Sequence, residues 1–139
     1  MTAESKIIWM PANWFVIKIG FCPSKDAWHS FFRQEAFEGE FDDVGYPSTQ
    51  GCSQCFGAPS EGYFNLVTIA DDLLETEGAL TTLGVIAHES THCFQFMADH
   101  IEEKSPSSEF AAYSTQAIFE FMVTAFESSG RGTLVSKAA

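Results

Sequence analysis

A chain of 139 residues has room for one ordinary hydrophobic core. Its 45% hydrophobic content, with 14 phenylalanines and 3 tryptophans, excludes a largely disordered polypeptide. The formal net charge of −12, with a pI near 4.5, excludes nucleic acid and anionic membrane surfaces as partners, since both would repel the chain.

Residues 1–139 read as a single domain without internal repeats. In chain order, "KIIWM" and "NWFVIKIGF" are β-branched and aromatic and predict two strands of a hairpin, split at Pro11, Ala12 and Asn13. "SKDAWHSFFRQEAF" predicts a first helix capped by Ser24, with apolar residues at 27, 28, 31 and 32 on one face, so that residues 1–37 hold two strands and a helix. The stretch 38–62, rich in Gly and Pro and carrying Cys52 and Cys55, reads as a long loop with at most short strands. "GYFNLVTIA" is the strongest strand in the chain. A second helix follows over about 77–101, then a third over 105–129 capped by Ser107 or Ser108. The tail 130–139 reads as frayed. The expected fold class is therefore α+β, a small mixed or antiparallel sheet packed on about three helices.

Glu4 and Lys6 precede the first apolar stretch, Pro11 and Asn13 interrupt it, and Lys18 follows. No continuous apolar run marks a signal peptide or membrane span, which predicts a cytoplasmic protein whose four cysteines are thiols. The CxxC spacing of Cys52 and Cys55 has no second CxxC or CxxH to complete a structural zinc site, and their glycine-rich surroundings do not open a helix as a redox CxxC does.

The chemistry concentrates in "GVIAHESTHCFQF". At about 100° per residue, His88 and His92 project from one side of a helix, roughly one turn apart. Gly84, Gln95 and Asp99 continue that front, whereas Leu83, Ile86, Ala87, Cys93, Phe94 and Met97 form an apolar back. Two neutral imidazoles fixed this way suit Zn2+, which in a catalytic site takes three protein ligands and a water. Glu89, at the edge of the front, is placed to take a proton from that water and return it to a leaving amine.

A third ligand is then required. Asp99 and His100 share the histidine helix, and Glu102 and Glu103 lie at its end. Glu109 lies 17 positions after His92, at the start of the next helix, a spacing that allows the chain to turn back. There it forms a polar stripe with Tyr113, Gln116 and Glu120, opposite an apolar stripe of Ala111, Ile118, Phe121, Met122 and Ala125. Tyr113 is a candidate to donate its hydroxyl to a developing oxyanion.

"HESTH" followed by "EFAAYSTQ" resembles the zincin metallopeptidase superfamily in its glutamate-ligand (gluzincin-type) form, and most of all the small HExTH…ExxAY proteins of phages and prophages. The similarity covers roughly residues 62–123. It implies His88, His92 and Glu109 as zinc ligands and Glu89 as general base. It also implies that "YFNLVTIA" is the edge strand along which an extended peptide binds. The separation of 17 is shorter than in the larger gluzincins, and their C-terminal helical domain has no counterpart in these residues. The expected function is zinc-dependent hydrolysis of a peptide bond in a basic or neutral polypeptide. The alternative is a catalytically weak zincin-fold binding protein acting on a host protein, which an exposed phenylalanine patch would favour.

Overall fold

The structure is a computed structural model that describes residues 6–11, 15–34, 44–58 and 62–135. Its elements are β1 (Ile8–Trp9), β2 (Lys18–Cys22), α1 (Lys25–Phe32), β3 (Gly51–Ala58), β4 (Gly62–Ile69), α2 (Leu73–His100) and α3 (Ser108–Ser128). The four strands form one mixed sheet in the order β1-β2-β4-β3, with β2 and β4 parallel and the two outer pairings antiparallel. This is a small α+β domain of three helices on a four-stranded sheet.

The pleat sorts the core into two layers. Phe64 and Leu66 face α1, where Trp28, Phe31 and Phe32 pack on them. Val67 and Ile69, with Ile19 and Phe21 of β2, face α2 and α3 and meet Ile86, Met97, Ile118, Met122 and Phe126. Because β4 is covered on both faces, its sequence reads as a nearly unbroken apolar run.

Local signals hold where they were specific. Ser24 caps α1 by accepting from the Ala27 backbone N–H, and Ser107 caps α3 by accepting from Phe110 N–H. The α1 residues 27, 28, 31 and 32 are all buried. β1 and β2 pair antiparallel as a hairpin would, although residues 12–14 of their connection lie outside the described residues. Helix α2 starts earlier than its periodicity suggests. Its first turn joins the rest across a kink at Gly78, whose φ of 86° is one a side chain would resist.

Two expectations about the sheet are corrected, and a third about the tail. The 38–62 segment is not simply a loop, because β3 occupies Gly51–Ala58 and pairs along its whole length with β4; residues 38–43 and 59–61 lie outside the described residues. Small side chains that suit close packing against α2 gave this strand a turn-like composition. The strand β4 is not an edge, since β2 and β3 flank it, and the edge near α2 belongs to β3.

The tail is docked through Val135. The Arg131 side chain donates to Pro23, Ile69 and Ala70 carbonyls and lies over the Phe126 ring. Glu127 Oε2 accepts from the Leu134 and Val135 backbone N–H groups, and Leu134 is buried. Residues 136–139 lie outside the described residues. No helix among the described residues is long and apolar enough to cross a membrane.

Candidate metal centre

The central part of α2 presents its two histidines as the spacing predicts. His88 Nε2 and His92 Nε2 lie 3.1 Å apart, and His92 Nδ1 lies 2.8 Å from Gln95 Oε1. An amide oxygen only accepts, so in the neutral ring Nδ1 donates to Gln95 and His92 Nε2 accepts from His88 Nε2–H, whose proton a bound zinc would displace. Two nitrogens on a tetrahedral zinc at about 2.0–2.1 Å would be separated by about 3.4 Å, so the rings stand within a few tenths of an ångström of ligating geometry. Gln95 thereby acts as the partner that sets ring tautomer and orientation. The sequence placed it on the front of the helix, but its i+3 relation to His92 is the signal that assigns this role.

The two residues between Glu89 and His92 take no part. Ser90 Oγ donates back to the Ile86 carbonyl and Thr91 Oγ1 to that of Ala87, so both hydroxyls are satisfied within the helix.

Glu89 is only 5% exposed, far more buried than its position at the edge of the front implied. The cause is β3. Gly51 comes so close to α2 that a Cβ there would lie 2.5 Å from Val85 Cγ1 and 3.0 Å from Glu89 Cγ. Burial raises the Glu89 carboxyl above its ordinary range, and the neighbouring His88 and His92 oppose that shift. Glu89, His88 and Gly51 share the wall of an open groove of about 710 Å³ between the start of β3 and α2. Gly51 was missed as a functional residue. The alternation of Gly51, Ser53 and Cys55 on one face is its only sequence trace.

Behind the histidines, Asn65 Nδ2 of β4 donates to Ser53 Oγ of β3 and Cys93 Sγ of α2, at 2.8 Å in each case. This buried junction fixes the sheet to the helix carrying the site, and burial pushes the Cys93 thiol up to about 12. Cys93 is thus a core residue on the back of α2, as its position predicts. Cys52 and Cys55 are three apart on one strand and point to opposite faces, an arrangement that does not present both sulfurs to one metal or to each other. All four cysteines are free thiols.

Glu109 and Tyr113 lie one turn apart on α3. Among the described residues no three His, Cys, Asp or Glu side chains gather closely enough to hold a metal ion. Glu109 is exposed in the first turn of α3, where the positive end of the helix favours a carboxylate. Tyr113 is 67% exposed. α3 meets α2 at Phe110 on Phe94, and Ala112, Thr115 and Phe119 line an open recess together with Ala87 and Thr91. The residues present therefore fit zinc at two of its protein ligands, and the set of three is not assembled.

Models of known families, curated proteins and solved structures give no match to this chain.

Proposed function

We propose that this chain is a zinc-dependent peptidase of zincin type, acting in a cytoplasm on an uncharged or basic polypeptide. The observation that carries the reading is the pairing of His88 and His92 at 3.1 Å beside a carboxylate that is nearly buried. A histidine pair held only for packing has no use for a desolvated glutamate one residue away, whereas hydrolysis needs a base of raised pKa at that place.

Zinc held by the pair would lower the pKa of a bound water and polarise a carbonyl. Glu89, in its carboxylate form, takes a proton from water and delivers it to the departing amine. Gln95 keeps His92 in the tautomer that leaves Nε2 bare. Among the described residues β3 is the outermost strand beside the groove, the place at which an extended peptide would add to the sheet. Glu109 is the residue we assign as third ligand, on the helix packed beside α2, and Tyr113 follows it by one turn as the oxyanion donor.

A second reading is favoured by one observation, the absence of a three-donor group among the described residues. A zincin-fold binding protein with little turnover, directed at a host protein, has no need to complete the set. Exposed phenylalanines do not support it, since none is among the large hydrophobics exposed in the described residues.

The two readings separate in one assay. Zinc-loaded protein incubated with a peptide mixture is expected to cleave it, to lose that cleavage in a chelator and to regain it when zinc is restored. Stoichiometric zinc with no cleavage would leave the binding protein.

A further inference from the structure

A recess of about 720 Å³ lies between the β1–β2 hairpin and α1, on the other face of the sheet from the histidine pair. Its size is that of a small-ligand site. Trp9 lines it with Met10 and Phe31, and Gly20, the antiparallel partner of Trp9 on β2, is what admits the indole. A Cβ at Gly20 would lie 2.9 Å from Trp9 Cε3 and 2.8 Å from Ile7 Cγ2, so only a glycine lets the ring settle onto the strand. The rings of Phe31 and Phe64 hold it there, with centroids 5.7 and 6.3 Å away. Trp9 nevertheless stays 37% exposed, whereas Trp28 of α1 is fully buried. A clamped indole that still shows this much surface offers a ready platform to another flat apolar group.

The charge of the recess is opposite to that of the protein. The chain holds 19 Asp and Glu against 7 Lys and Arg, yet the described residues that line this recess include Lys6 and Lys18 and no carboxylate. The groove beside the histidines carries Glu89 instead, and the one beside Tyr46 carries Asp71 and Asp72. Lys18, two residues before Gly20, shares its face of β2. An anion repelled by most of this surface is therefore drawn to the two ammonium groups beside Trp9. We propose that the recess binds a small aromatic carboxylate, its ring on Trp9 and Phe31 and its charge at Lys6 and Lys18. The site is separate from the histidine pair and does not depend on the peptidase reading. A peptide fits less well, because β1 is only 2 residues long and gives an added strand little edge to pair with.

The test titrates 2-naphthoate and its uncharged amide, 2-naphthamide, into the protein with and without added zinc, following backbone amide shifts. The carboxylate is expected to bind saturably in both conditions, with shifts around Trp9, Lys18 and Phe31, and the amide to bind roughly tenfold more weakly. The double variant Lys6→Gln, Lys18→Gln is expected to lose the preference for the anion, and Trp9→Leu to weaken both ligands roughly tenfold. Both lysines are exposed, so the double variant is expected to fold and decides the matter even if Trp9→Leu loosens β1. Equal affinity for the two ligands in wild type, an unchanged preference in the double variant, or no saturable binding overturns the proposal. Shifts that need zinc and centre on His88 and His92 assign the carboxylate to the metal centre and overturn it as well. An acetylated, amidated Glu-Phe-Glu peptide that binds at Trp9 more tightly than 2-naphthoate overturns the small molecule in favour of an acidic segment of a protein.

Discussion

Replacing Glu89 by glutamine is expected to lower peptide cleavage by roughly 10²–10⁴-fold, the usual contribution of a positioned general base. Zinc content should not change, because the substitution leaves both imidazoles and the Gln95 contact in place. The melting temperature should be equal or higher. The side chain is 5% exposed, and an amide costs less to desolvate than a carboxylate whose pKa burial has already raised. Zinc content, cleavage rate and melting measured on one preparation give a pattern that a structural glutamate would not produce. A structural Glu89 predicts a lower melting temperature with cleavage falling only as the fold is lost. Unchanged cleavage in a well-folded variant would remove Glu89 from the mechanism.

Arg131→Ala is expected to cost about 3–5 kcal/mol, in the range for breaking a buried charged network, and to lower the melting temperature by roughly 10 °C or more. The Arg131 side chain is only 6% exposed. It donates to Ile69 and Ala70 carbonyls at 2.9 and 2.8 Å and to Pro23 at 3.3 Å, so its loss leaves several acceptors without their donor. The guanidinium also lies 4.9 Å from the Phe126 ring centroid. The carboxylate of Asp71, 4.0 Å away and largely exposed, adds little. Arg131→Lys should recover only part of the loss, since an ammonium cannot fork across several carbonyls. Thermal unfolding of the two variants measures this, and a loss below about 1 kcal/mol in Arg131→Ala would show the contacts to be incidental.

Arg131 also marks where sequence reading stops. Its partners at Ile69 and Ala70 are 62 and 61 residues away, and nothing within "GRGTLV" encodes them, so the tail looked frayed. Short-range chemistry was legible. Ser24 and Ser107 announced their helices, the i, i+4 spacing put His88 and His92 on one front, and Cys93 fell on the back. Periodicity says which face of α2 is apolar, but it does not say that Gly51 of another strand will close over Glu89. It likewise found β4 without revealing that β2 joins it in parallel on one side and β3 on the other, because pairing is a property of the assembled sheet. Strand β3 itself was hidden by Gly, Ser and Cys, residues that suit close packing and are read locally as turn formers.

Zinc chemistry at this site requires the lone pairs of two imidazoles to meet at one divalent ion. A crystal of the zinc-loaded protein, with anomalous differences collected on both sides of the zinc edge, measures that directly. The expected result is one strong peak about 2.0–2.1 Å from both His88 Nε2 and His92 Nε2, with Glu109 supplying the third protein ligand. A map with no peak between the rings, and with His88 Nε2 still hydrogen-bonded to His92 Nε2, would contradict it.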